Sequence, residues 1–200
     1  ITSLKKHMPT IQNISSIYTG DFEEGGDIWL GRGEAYYDEP IKGGYAWHTF
    51  LHETGHALGL RHGHDTGALS ADRDSMEYSV MTYRAFINDP IIGGYSNAHG
   101  SYAQTLMQED IAAAQDAYGA NYEHEAGDTT YHWNPRTGTF SIDGEAETTP
   151  ATNTILMTIW DGGGMDSFDF SSYRTNAKID LRAGAGSTGD TSQLAHLNAS

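Results

Sequence analysis

His52-Glu53-Thr54-Gly55-His56-Ala57-Leu58-Gly59-Leu60-Arg61-His62 reads H-E-x-x-H-x-x-G-x-x-H. On an α-helix, residues four apart stand one turn apart on the same face, so the imidazoles of His52 and His56 can reach one ion at about 2.0–2.1 Å. Gly59 can enter the left-handed conformation that side chains resist, turning the chain so that His62 returns as a third ligand. Three neutral ligands leave a zinc ion one open position. Water held there has its pKa lowered toward about 7, and Glu53 stands beside the metal to take its proton. At this composition H-E-x-x-H arises by chance in roughly 3% of such sequences, and the added Gly and His lower that to roughly 0.02%. Chance is therefore a weak competitor, and satisfying three such groups in a core without a metal would take many hydrogen-bond partners. His48, one turn before His52, is expected to pack or to support the ligands from behind, because a fourth protein ligand would close the site. His64 is expected to be solvated.

The 200 residues make one ordinary domain or two small ones. Lys and Arg number 11 against 27 Asp and Glu, and the net charge of -16 repels phosphate backbones and anionic membrane surfaces, so nucleic acid and membrane are excluded as partners. A hydrophobic fraction of 38% with 12 Tyr supplies enough packing material for a folded chain despite that charge. No apolar run approaches the roughly 18 residues of a membrane span, and Ile1 to Gly20 offers no apolar stretch behind Lys5 and Lys6, so neither an anchor nor a signal peptide is read there. With no Cys, disulfides, thiolate metal sites and cysteine nucleophiles are ruled out, and any metal must bind through His, carboxylate or carbonyl.

Around the histidine segment the pattern predicts a mixed, α+β chain. A strand is expected over Asp27 to Leu30, bounded by glycines. Trp47, Leu51 and Leu58 recur at helical spacings and predict a buried helix from Tyr45 to Leu58 that ends at Gly59. Residues 61–102 hold no period and read as site-walling loops. Thr105 with Gln108 reads as a capping box for a second helix, with Met107, Ile111, Ala114 and Tyr118 on one face and Gly119 as its stop. After Tyr122 short β-rich runs take over: Thr129–Trp133, Gly138–Ile142, Ile155–Trp160, Ser167–Phe170 and Ala177–Leu181. Residues 144–153 read as a solvated loop. A boundary near residues 119–125 divides the chain into 1–120 and 121–200.

Ser79-Val80-Met81-Thr82-Tyr83, taken with the histidine segment, resembles the Met-turn of metzincin metallopeptidases, and specifically of the serralysin group of secreted bacterial proteases. The resemblance continues through Leu106 to Gln115, through Tyr118-Gly119-Ala120-Asn121, and through Gly127-Asp128-Thr129 with Trp160 to Phe170. It implies that residues 1–120 are the C-terminal portion of a metzincin catalytic domain. Residues 121–200 are then a linker and the beginning of a calcium-binding parallel β-roll. It implies that Met81 forms an apolar floor beneath the imidazoles, that Tyr83 is a zinc ligand that swings away on substrate binding and stabilises the oxyanion, and that Asp110 braces the Met-turn. Serralysins usually carry Pro directly after the third His, where this chain has Gly63. The family's upstream strands and further glycine-rich repeats are then expected from a longer protein or from another chain.

Asp161, Gly163 and Asp166 cluster in a glycine-rich turn, and hard cations take six to eight oxygens, many of them backbone carbonyls. By resemblance to the serralysin linker, Glu125, Gly127 and Thr129 complete a calcium shell, with Glu125 using its carbonyl oxygen. The expected function is a secreted zinc endopeptidase acting on polypeptides, with Zn2+ as catalytic and Ca2+ as structural cofactor. A metal-stabilised binding module or fragment without activity is the alternative.

Overall fold

The computed structural model describes residues 15–16, 26–29 and 37–197. Most of the strand expected over residues 27–30 is present: Ile28–Trp29 (β2) pairs antiparallel with Ser15–Ser16 (β1). The helix α1 runs from Tyr45 to Ala57 and α2 from Gln108 to Tyr118. Four short strands follow: β3 (Thr130–Trp133), β4 (Phe140–Ile142), β5 (Glu145–Ala146) and β6 (Ser167–Asp169). They form a sheet in the order β5-β4-β3-β6, antiparallel except for the parallel pair β3 and β6, in which Tyr131 faces Phe168. The described chain is thus a mixed α/β structure with a small sheet.

Two apolar clusters hold it together. Met76, Val80, Met81, Ala103 and Met107 pack beneath α1, with Leu51, Leu60 and Leu156 against them. Tyr131, Trp133, Phe140 and Tyr173 form the second, on the sheet. The stretch expected as a strand over Ile155–Trp160 joins the two without belonging to a ladder. Its side chains alternate as an extended chain requires: Ile155, Met157 and Ile159 face the sheet cluster, and Leu156 faces the helix cluster. Its polar groups are met by other segments. Leu156 O accepts from Gln104 N at 2.8 Å, Ile155 N donates to Gln193 O at 2.9 Å, and Thr158 N donates to Thr105 Oγ1 at 2.9 Å.

That last bond corrects the expected cap of α2. Thr105 is spent on Thr158, and the N-cap is Met107, whose N–H donates to Asp110 Oδ2 at 2.9 Å. Of the expected apolar face only Met107 is buried, and Tyr118 is 61% exposed, with its hydroxyl donating to Leu58 O. Asp110 is the buried residue of this helix. Residues 177–181 form only an isolated bridge, Lys178 to Thr188, and the expected loop at 144–153 contains β5.

Candidate metal centre

The end of α1 shapes the centre. Gly59 has φ +86, its N–H donates to His56 O at 2.8 Å, and Leu60 N donates to Gly55 O at 2.9 Å. This paired closure, with glycine in the left-handed position, ends the helix and sends residues 60–62 back across it. The same turn orients a ligand, because Leu60 O accepts from His56 Nδ1 at 2.8 Å. Val80 O does the same for His52 Nδ1 at 2.8 Å. A carbonyl only accepts, so both Nδ1 atoms donate, and in the neutral ring Nε2 is then the atom that presents a lone pair.

His56 Nε2 lies 3.0 Å from His62 Nε2, and His52, His56 and His62 each offer a ligand atom within 4.8 Å of the others. Burial lowers the pKa of His52 to about 4, and burial with the neighbouring His56 lowers that of His62, so both are neutral at pH 7. Three imidazoles, two of them held through Nδ1 by backbone carbonyls, are the donor set that zinc takes, and the residues fit the ion.

Beneath them sits Met81, 2% exposed. A β-carbon at Gly55 would lie 2.2 Å from Met81 Sδ, so the glycine inside α1, unfavourable for the helix itself, is what lets the methionine approach. Gly63 N donates to Met81 O at 2.9 Å, a bond that a proline at this position could not make. Asp110, 2% exposed, accepts from Ser79 Oγ at 2.6 Å and from Val80 N at 2.8 Å, in addition to Met107 N. Burial pushes its carboxyl up, and these three donors oppose the rise.

Tyr83 is 38% exposed, and its hydroxyl lies 2.9 Å from His62 Nε2. Glu53 is partly exposed on α1, near enough to Tyr45 and Tyr95 for its charge to add to the rise of both phenols, which burial dominates. His48 is buried, with Nε2 3.1 Å from Tyr95 Oη. His64 departs from the sequence expectation. Its Nδ1 is buried, and its ring packs 5.1 Å from that of His62 and 4.7 Å from that of Tyr83. Spacing gave no sign of this, since the contact depends on where the segment carrying Tyr83 returns.

The residues expected to hold calcium lie on two facing loops. Gly162 N donates to His124 O at 2.8 Å, and Thr129 N donates to Asp166 Oδ1 at 3.0 Å. Asp161 accepts from Gly163 N at 2.8 Å and from Tyr131 Oη at 2.5 Å. A β-carbon on Gly164 would fall 2.2 Å from Gly127 O, so that glycine allows the loops to close. Thr129 Oγ1 donates to Gly127 O at 3.1 Å, and Glu125 has φ +47. Among the described residues, the side-chain groups able to share a metal are His52, His56 and His62, and His62, His64 and Asp65. The acidic loops do not form such a group.

Residues 120–194 match the family model described as Peptidase M10 serralysin C terminal. Serralysin B of Dickeya chrysanthemi is 34% identical over 179 residues, covering 84% of this chain and 35% of the relative. The chain is a relative of the serralysins. Serralysin of Proteus mirabilis is 38% identical over 154 residues (72% of this chain, 30% of the relative), and metalloprotease AprA of Pseudomonas entomophila is 36% identical over 152 (71% and 30%). The chain spans about a third of the length of these relatives.

Proposed function

We propose that this chain carries the zinc centre of a secreted metalloendopeptidase acting on polypeptides, followed by the first calcium-binding turns of a parallel β-roll. The observation that carries the reading is the convergence of three imidazoles, two of them fixed by backbone carbonyls, above Met81 and beside the Tyr83 phenol. In this reading His52, His56 and His62 hold zinc, which when bound acts as a Lewis acid and lowers the pKa of water. Glu53 takes the proton and passes it to the leaving amine. Tyr83 donates its phenol proton as a hydrogen bond to the developing oxyanion. Residues 1–120 then form the C-terminal portion of a metzincin catalytic domain, with residues 121–200 as linker and start of the β-roll. The names of the relatives, serralysin and metalloprotease, support the reading, and the described residues contain no helix long and apolar enough to cross a membrane.

The test is zinc content by atomic absorption together with cleavage of a denatured polypeptide. One zinc per chain, with cleavage lost in a chelator and restored by zinc, is the expected result. Zinc bound at one per chain with no cleavage would favour the silent module instead.

Calcium gives a second expected outcome. In this reading the carbonyls of Glu125, Gly127 and Gly163, with Thr129, Asp161 and Asp166, hold an ion between the facing loops. An ion bound only by the folded chain raises stability by RT ln(1 + [L]/Kd), about 2.7 kcal/mol at a hundredfold excess over Kd. Heating in millimolar calcium should give a clearly higher midpoint than heating in a calcium-selective chelator. Equal midpoints would remove the site.

A further inference from the structure

We infer that Tyr95, oriented by His48, is a positioning residue for Tyr83, an assignment that rests on the reading of Tyr83 given above. Tyr83 lies between two anchored neighbours. Thr82 is fully buried, its hydroxyl bonded to Asp74 Oδ1 and accepting from Arg84 N at 3.1 Å. Arg84 Nε donates to Asp74 Oδ2 at 2.7 Å, and its Nη1 donates to Asp89 O. The remaining group is the Thr82 carbonyl, and Tyr95 Oη donates to it at 2.8 Å. The Thr82–Tyr83 peptide is planar, so fixing that carbonyl fixes the Tyr83 N–H, and with it the plane from which the Tyr83 side chain departs.

The phenol of Tyr95 has one proton, which this bond consumes. The second contact, to His48 Nε2 at 3.1 Å, must therefore be donated by the imidazole. That sets the tautomer of His48 and accounts for its Nδ1, which is buried without a partner: it is a bare acceptor and leaves no N–H unsatisfied. Burial holds His48 neutral, with its pKa down to about 3, and burial keeps the Tyr95 phenol protonated, so neither donor is lost near pH 7. The rings of His48 and Tyr95 meet edge to face at 5.0 Å, and Tyr95 meets Tyr83 edge to face at 6.4 Å. A continuous path thus runs from α1 through His48 and Tyr95 to the backbone that carries Tyr83.

The test is a double-mutant cycle. Y95F should keep zinc content and KM and lower kcat about tenfold, the cost of misplacing a transition-state donor by a fraction of an ångström. In a Y83F background the same change should cost nothing further. Copper(II) in place of zinc adds a readout independent of turnover. Phenolate-to-copper charge-transfer absorption should be present in the wild type, absent in Y83F, shifted or weakened in Y95F and H48L, and restored in H48Q, which keeps an N–H donor. Equal losses from Y95F in both backgrounds, or unchanged absorption in Y95F, would overturn the positioning role. Wild-type absorption identical to that of Y83F would overturn the place of Tyr83 at the metal, and equal kcat in wild type and Y83F would overturn its oxyanion role, either one taking this inference with it.

Discussion

If residues 52–62 hold zinc as proposed, Glu53→Gln should keep zinc and fold and lose about 10²–10⁴-fold in kcat, the range that a positioned proton acceptor contributes. The substitution preserves shape and removes the base. Glu53 is partly exposed on α1, so the amide enters no apolar site, and its side chain belongs to neither buried cluster. The three imidazoles are held by contacts that do not involve it: Val80 O on His52, Leu60 O on His56, and the Gly59 turn that returns His62. Metal content and thermal midpoint should therefore match the wild type while turnover collapses. Because ground-state contacts persist, KM should change by far less than kcat. Activity above about a tenth of wild type would assign the proton to another group.

The sequence disclosed the parts of this centre that depend on local spacing. His52 and His56 are placed by helical periodicity, and the turn at Gly59 by the one residue type that accepts φ +86 without strain. The second helix was legible for the same reason, but its cap was not. Thr105 with Gln108 fits a capping box as written, and only the arrival of Thr158 from the far end of the chain diverts Thr105 and leaves Asp110 to close the helix. The run Ile155–Trp160 has the alternation of a strand and uses it, each face against a different cluster, yet its hydrogen bonds go to loops and side chains. Alternation reports two-sided burial and leaves ladder pairing open. His64 and Tyr95 were invisible as site residues for a related reason. Their contacts join the α1 region to residues 82–83, and no interval in sequence encodes where those segments meet.

Asp110→Ala should be the most destabilising single change at the centre. The carboxylate is 2% exposed and receives three hydrogen bonds, from Ser79 Oγ, Val80 N and Met107 N. Alanine leaves two backbone N–H groups and a hydroxyl buried without acceptors, each costing about 1–3 kcal/mol, for a total of roughly 3–5 kcal/mol after relaxation. For a chain of this size that corresponds to a midpoint lower by roughly 10 °C. The change should also reach the metal. Val80 bonds Asp110 through its N–H and holds His52 Nδ1 through its carbonyl, so loosening the residue frees the first imidazole to rotate. Loss of a group that orients a ligand typically costs 10–100-fold in metal affinity, and a competition titration with a zinc chelator should show a loss of about that size. Asp110→Asn keeps one acceptor oxygen and sets an amide against a donor, so it should fall between wild type and alanine on both scales. A lowered midpoint with undiminished zinc affinity would mean that His52 is held by the helix and that Asp110 serves the fold alone.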